Sequence, residues 1–521
     1  MSLDELLFEP NRPGSRAGFG SGSEALVQFG GRSWSRDDIQ DRADQLAAVL
    51  AGVGVDTGAA VGVMLPNGPD PVAALFGTWR AGGVYVPLNP RLAGDEVDHI
   101  MASVDPAAIV TTDDLAARFA DRFAGRPIIV ASDAGWAAAP GATDGEHRRH
   151  DADVALIQFT SGTTGRPKPV LLLHSGVLTL LDGVLAKLRG RAPSGSPGSG
   201  PAPEAPPPMP NLIPVSLSLW AGIYNVLFAL RVGAPVVIMD GFEPTEFAAL
   251  VREFAIRSTV LPPAAMTMLA DDTSITDLSP LRFVRSITAP LSPLQARRFK
   301  DRFGIAVLNG YGQTEIGGEI VGWNAADSRE HGDAKLGSVG RPHEGVSLRV
   351  VDDDGHDVEP GESGELWVLT PALSAGYADG TDLSDRLSAD GWFRTGDFAH
   401  IDPEGFVWLE GRVSSMINRG GMKVYPGEVE EVLRLHPAVA DAAVVGAPDD
   451  RLGEVPWAFL VLRPSPDLPA GDLPADLQAL CRDHLAPYKV PAGFEVIAEL
   501  PRNEVGKVLA RELLERIGVT S

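Results

Sequence analysis

Cysteine is almost missing from this chain: Cys481 is the only one in 521 residues. A lone thiol closes no internal disulfide and offers no pair to a cysteine-based zinc site, so a reducing, cytoplasmic setting is expected. Positive charge is also scarce, with 44 Lys and Arg against 69 Asp and Glu and a net charge of −25. That balance argues against a sequence-independent grip on nucleic acid and against a polybasic membrane anchor. The opening MSLDELLFEPNRPGSR lacks the basic-then-apolar order of a secretory signal. One charge-free run needs checking as a membrane span, the 19 residues Leu212 to Leu230. It carries Pro214, Ser216, Ser218, Gly222 and Asn225, and a strand-like VGAPVVIM follows, so it reads as a buried helix.

What is present is ordinary globular material, 44% hydrophobic and 22% charged, at a length that suggests three or four lobes. Short apolar runs at 59–65, 82–88 and 107–112 predict buried strands. Between them lie helix-length stretches such as 37–54, with apolar residues three and four apart. Strands alternating with helices predict a largely parallel α/β sheet. From 343 to 410 the pattern turns to short strands between Gly, Pro and Asp clusters, a small β lobe. After 411 it becomes mixed α+β, with the join near Gly411–Arg412. Residues 190–210, GRAPSGSPGSGPAPEAPPPMP, interrupt the α/β pattern and predict a disordered insertion loop.

Five polar runs carry the chemistry. Phe159–Val170, FTSGTTGRPKPV, follows the apolar run VALIQF; its glycines, hydroxyls and amides suit phosphate oxygens, and Lys168 adds a point charge. The spacing is not that of a Walker A loop. Asn309–Glu315, NGYGQTE, reads as a Gly-Tyr-Gly turn after a strand, with Thr314 as a phosphate donor and Glu315 able to take a hydroxyl or a hard cation. Gly391–Asp397, GWFRTGD, places an Asp after a tight turn, where it could accept from ribose hydroxyls. The fourth and fifth runs are Gly411–Glu430, GRVSSMINRGGMKVYPGEVE, and Pro501–Arg511, PRNEVGKVLAR. Each of the later runs, taken alone, is also readable as a solvated turn or surface charge.

In this order and at these separations, the five runs resemble the acyl- and aryl-CoA synthetase branch of the adenylate-forming superfamily. That group also holds firefly-type luciferases and nonribosomal peptide adenylation domains. The resemblance covers about residues 25 to 515. It implies a large N-terminal domain, 1–411, of stacked α/β sheets plus the β lobe, followed by a small mobile α+β domain, 412–521. By the same resemblance, Thr160, Ser161, Gly162, Thr163, Thr164, Gly165 and Lys168 would line the ATP phosphates, and Thr314 would contact the α-phosphate. Glu315 would hold Mg2+. Ala289, Pro290, Tyr311 and Gly312 would hold adenine, with Tyr311 stacked on it, while Asp397 and Arg412 would fix the ribose. Lys507 would bridge the reacting carboxylate and the α-phosphate, and Gly420 and Gly421 would border the channel to CoA. The implied reaction joins a carboxylic acid to CoA through an acyl-adenylate, with the small domain rotating between half-reactions.

Three positions depart from the family pattern. Pro169 stands where Gly follows the loop lysine, deleting an N–H and restricting Lys168, which raises the prospect of impaired adenylation. In that reading the enzyme would thioesterify acyl-AMP supplied by a partner adenylating enzyme. Ser414 stands at the hinge in place of Asp or Lys. After Pro214 the chain offers Trp220, Tyr224 and Asn225 as pocket candidates, weighted toward a hydrophobic acid, with no Asp for an α-amino group. Other same-fold readings are loading of a carrier protein and adenylate binding without catalysis.

Overall fold

The computed structural model describes residues 2–9, 24–138, 147–160, 167–189, 208–287, 289, 291–463, 473–502 and 508–518. The expected insertion loop, 190–207 of it, lies outside the described residues, as do Ser161 to Gly165, Pro290 and Lys507.

The predicted strands form as Ala60–Met64, Val84–Pro87 and Ala108–Thr111, every residue of them buried. Their near-continuous apolar character fits strands covered on both faces. They sit at the centre of a seven-stranded sheet, parallel inside and closed at one edge by the antiparallel pair Val154–Thr160 and Lys168–Leu173. The helix Arg36–Gly52 starts at Ser35, whose hydroxyl accepts from Asp38 N while the Asp38 carboxylate accepts from Ser35 N. It then buries Ile39, Ala43, Leu46 and Leu50, spaced at three to four residues.

A second, four-stranded sheet joins Ala25–Phe29 and Arg32–Ser35 to Asn211–Ile213 and Val236–Ile238. The charge-free run at 212–230 is therefore split: its start is strand, and its remainder enters the 13-residue helix Trp220–Val232, ended by Gly233 at φ 75°. Among the described residues no helix is long and apolar enough to cross a membrane. A third sheet is wholly parallel, Ser258–Val260, Phe283–Ser286 and Ala306–Asn309.

The β lobe is a four-stranded antiparallel sheet, Ser347–Val351, Gly364–Leu369, Phe393–Ile401 and Val407–Arg412. The C-terminal part builds its own sheet around the long hairpin Val439–Asp449 and Gly453–Leu462, covered by Pro426–Arg434 and Leu473–His484. Its apolar clusters draw only on residues from Ile417 onward, and the clusters of the large domain end at Val407. Phe398 stacks on Tyr425 at 4.8 Å, and Lys423 pairs with Asp353 at 3.0 Å, linking the lobes beside Gly411.

Candidate active site

The wholly parallel sheet delivers the first site residues. Ser286 pairs with Asn309 at the carboxyl ends of adjacent strands, and Gly310 N donates to Ser286 O at 2.9 Å. Ala289 and the NGYGQTE run both leave from that edge, where ligands of open α/β sheets gather. The run itself differs from the expected turn. Tyr311–Gln313 is a short strand paired with Gly318–Gly322, and the reversal falls on the 3-10 turn Thr314–Ile316. Gly312 is needed there for close approach, since a Cβ would lie 1.7 Å from Gly318 O.

Strand alternation puts Tyr311 and Gln313 on one face. Both reach Asp397: the Tyr311 hydroxyl donates to Oδ2 at 2.6 Å, and Gln313 Nε2 donates to the same oxygen at 2.6 Å. Arg412 Nε reaches Oδ1 at 2.9 Å and stands directly opposite Asp397 in the sheet register. Asp397 lies within the strand Phe393–Ile401, which follows the tight turn Ser388–Gly391, at an irregularity marked by Gly396 at φ 69°. Burial and the Asp397 carboxylate push the Tyr311 phenol well above its ordinary pKa, so it stays a donor. Tyr311 is therefore anchored through its hydroxyl to the same carboxylate as Arg412. Sequence reasoning missed Gln313, although its spacing of two from Tyr311 on a strand was the available signal.

A second carboxylate sits one turn on. Glu315 is buried, and its Oε1 accepts from Arg386 Nη1 at 3.3 Å and from the Tyr377 hydroxyl at 3.4 Å. Arg386 also donates to Gln313 Oε1 at 3.3 Å and to Thr395 O at 2.7 Å. Lys168 Nζ lies 5.0 Å from the centre of the Tyr377 ring. One polar seam thus runs Lys168, Tyr377, Glu315, Arg386, Gln313, Asp397, Tyr311, Arg412. No sequence signal marks Tyr377 or Arg386, which fall between motifs. As for a metal ion, Glu315 supplies one hard oxygen, which fits a cation carried mainly by phosphate oxygens and water. Among the described residues, the only group of three or more such ligands is exposed Asp352, Asp354 and His356 on the β lobe.

Thr160 and Lys168 face each other at the end of the antiparallel pair. Lys168 is extended, the conformation a residue before proline prefers. Pro169 forms a narrow antiparallel pair with Ala378: Ala378 N donates to Pro169 O at 2.8 Å, around the bridge Val170–Tyr377. The reciprocal rung would run from residue 169 N to Ala378 O, and that oxygen is taken by Arg148 Nη1 instead. Proline here removes a sheet rung that an arginine refills.

The remaining candidates divide. Trp220 donates its indole N–H to Gly317 O at 3.0 Å, so it borders the segment after Glu315, and it meets Tyr224 edge-on at 5.9 Å. Asn225 does not join them. Its amide donates to Ala221 O at 2.8 Å within its own helix, and Asn211 Nδ2 donates to Asn225 O at 2.9 Å, so it serves helix and strand packing. Gly420 and Gly421, at φ 60° and 91°, form the hairpin turn between Ile417–Arg419 and Met422–Val424, a shape that two glycines suit. Their amides donate to Leu452 O and Asn418 Oδ1. Ser414 lies in the 3-10 turn Val413–Ser415 just past Arg412.

Comparison with known proteins agrees with this geometry. The model of the AMP-binding enzyme family matches residues 16–378, and that of the AMP-binding enzyme C-terminal domain matches 428–507. An indoleacetate–CoA ligase of Aromatoleum aromaticum is 33% identical over 94% of this chain and 94% of its own. A fatty acid–[acyl-carrier-protein] ligase, ScoC, of Streptomyces coeruleorubidus is 30% identical over 93% and 92%. Among solved structures, the amide bond synthetase McbA of Marinactinospora thermotolerans superposes with a TM-score of 0.82 at 27% identity, covering 99% of both chains.

Proposed function

The chain belongs to the AMP-binding enzyme family, and on that premise we propose that it carries out both half-reactions of an acid:CoA ligase along the seam from Lys168 to Arg412. It is an ATP-dependent, AMP-forming enzyme of the acid–thiol ligase class. A carboxylate cannot expel oxide, so one of its oxygens first attacks the α-phosphorus of ATP and pyrophosphate leaves. The CoA thiolate then attacks the acyl carbon, and AMP departs with that oxygen.

The observation that carries the reading is Asp397, buried and held by Tyr311, Gln313 and Arg412. A carboxylate fixed by three donors is a rigid acceptor with about one lone-pair site left, on Oδ1, for a ribose hydroxyl. Two anions must meet in the first step. At an effective dielectric near 20, one cation about 4 Å from an anion contributes on the order of 4 kcal/mol. Lys168 supplies such charge from the large domain, and Lys507 supplies it from the small one. Thr160, Thr314 and residues 161–165 take phosphate oxygens, and Ala289, Pro290, Tyr311 and Gly312 border adenine. Mg2+, held by Glu315 and phosphate oxygens, would neutralise charge on the triphosphate. The small domain, from 412 on, turns about the Val413–Ser415 segment between steps and brings the Gly420–Gly421 turn to the pantetheine arm. The acid lies against Trp220 and Tyr224, with a largely hydrophobic body.

Adenylation is retained despite Pro169, because the N–H it lacks would face Ala378. Purified protein with ATP, Mg2+ and a mixed acid pool tests this. Acyl-AMP should form without CoA and acyl-CoA with it, both read by mass spectrometry. Acyl-CoA arising only from preformed acyl-AMP would overturn the two-step reading, and transfer only to a carrier protein would overturn CoA as acceptor.

A further inference from the structure

Gly310 and Gly312 point away from Asp397, on the opposite face of the strand that carries Tyr311. On that face stands Glu319, in register with Gly312, its carboxyl carbon 3.0 Å from where a Gly310 Cβ would be. Its side chain is 8% exposed. Arg285 Nη2 donates to Glu319 Oε1 at 2.5 Å, and His343 Nε2 reaches the same oxygen at 3.3 Å. Lys187 adds a cation nearby, its Nζ held by the carbonyls of Gly322, Arg341 and Pro342. Burial works against the Glu319 anion, but Arg285 and His343 outweigh it, so it stays ionised. Burial keeps His343 neutral, and it lowers Lys187 only to about 8. Near neutral pH the group therefore holds two cations and one anion.

Among the described residues, two buried polar atoms in this group find no hydrogen-bond partner: the Tyr224 hydroxyl and His343 Nδ1. Tyr224 is 5% exposed and within electrostatic reach of Arg285 and Glu319. Its ring continues an aromatic row from Trp220 to Phe228. Buried polar groups are almost always paired, and a buried ion pair is a weak stabilising device that apolar side chains would replace without loss. A charged, incompletely paired cluster whose Glu319 stands in register with Gly312, the neighbour of Tyr311, is therefore better explained by recognition than by stability.

We propose that the acid activated here carries an oxygen function, a hydroxyl or a second carboxylate, at the end remote from its reacting carboxyl, and that Tyr224 and the Arg285–Glu319–His343 cluster receive it. This rests on the acid:CoA ligase reading. An accepting oxygen takes the Tyr224 O–H and the excess positive charge, and a hydroxyl can also donate to His343 Nδ1. The source is either a hydroxylated aromatic acid or an α,ω-diacid.

The test compares kcat/KM for matched acids that differ only in that oxygen: 3-phenylpropanoate against 3-(4-hydroxyphenyl)propanoate, and hexanoate against hexanedioate. At least one oxygenated member should be preferred by about 100-fold or more, because its loss strands buried partners. The pair showing the preference identifies the source. Tyr224→Phe should cut that ratio at least tenfold, as should Arg285→Met combined with Glu319→Met, which removes both members of the pair and leaves Lys187 on its three carbonyls near Asp327. Equal or reversed preference in both pairs, with acyl-CoA still formed, overturns this inference and leaves the ligase reading intact. A ratio unmoved in both variants also overturns it. No acid-dependent AMP from either pair or from a wider acid pool overturns the ligase reading and the inference together.

Discussion

Replacing Arg148 by Ala leaves the buried Ala378 carbonyl without the guanidinium that now donates to it. An unpaired buried acceptor costs about 1–3 kcal/mol, and water reaching this edge of the site keeps the effect near the lower end. In Pro169→Ala the main chain regains an N–H aimed at the same oxygen, so the arginine becomes redundant. The two substitutions should therefore couple: Arg148→Ala is costly beside proline and nearly silent beside alanine. The expected coupling is about 1 kcal/mol, within the range for residues that share a partner. Hydrogen exchange of peptides spanning 168–173 and 375–378 reads it locally, with about fivefold faster exchange in Arg148→Ala and near-wild-type exchange in the double variant. Strict additivity would refute the argument that proline removed a rung. So would a gain of 100-fold or more in acyl-AMP formation by Pro169→Ala alone, since that would show the lost N–H to have served the reaction.

Other outcomes follow from the same contacts. Tyr311→Phe removes one of three donors to Asp397 and should lower kcat/KM for ATP about 10- to 100-fold in pyrophosphate exchange, as expected for a hydrogen bond to a charged group. Arg386→Leu takes a competing cation off Glu315, so half-maximal adenylation should need several-fold less Mg2+; an unchanged or higher requirement would contradict that role. His174, 7% exposed, accepts from Leu3 N at Nδ1, and burial lowers its pKa from 6.5 to about 4. The unfolded histidine then binds a proton that the folded one refuses, so stability is full above pH 6.5 and falls on acidification toward pH 4, by on the order of 3 kcal/mol. The difference in urea midpoint between wild type and His174→Gln should shrink across that window, and a constant difference would refute the assignment.

The α/β alternation was legible because buried parallel strands leave unbroken apolar runs and the helices between them keep a strict spacing. The motif residues Tyr311, Asp397 and Arg412 could be picked out one by one. Their convergence could not, because Asp397 reaches Tyr311 across 86 residues of chain. Arg386 and Tyr377 had no pattern of their own and acquire a role only when the β lobe folds against Glu315. Asn225 shows the same limit, since one helix step separates Tyr224, which meets Trp220, from Asn225, which is bonded to Asn211. Pro169 illustrates how a local rule can be right about the lost donor and silent about its direction. That direction is fixed by the pairing of 168–173 with 375–378, which no spacing in the sequence encodes.

The central claim is that a carboxylate oxygen attacks the α-phosphorus of ATP, and oxygen labelling tests it most directly. An accepted acid labelled with 18O in both carboxyl oxygens is turned over with unlabelled ATP and CoA, and the nucleotide product is weighed. The expected result is AMP carrying one 18O per turnover, with pyrophosphate unlabelled. ADP as the product, label in inorganic phosphate, or AMP free of label would contradict the account.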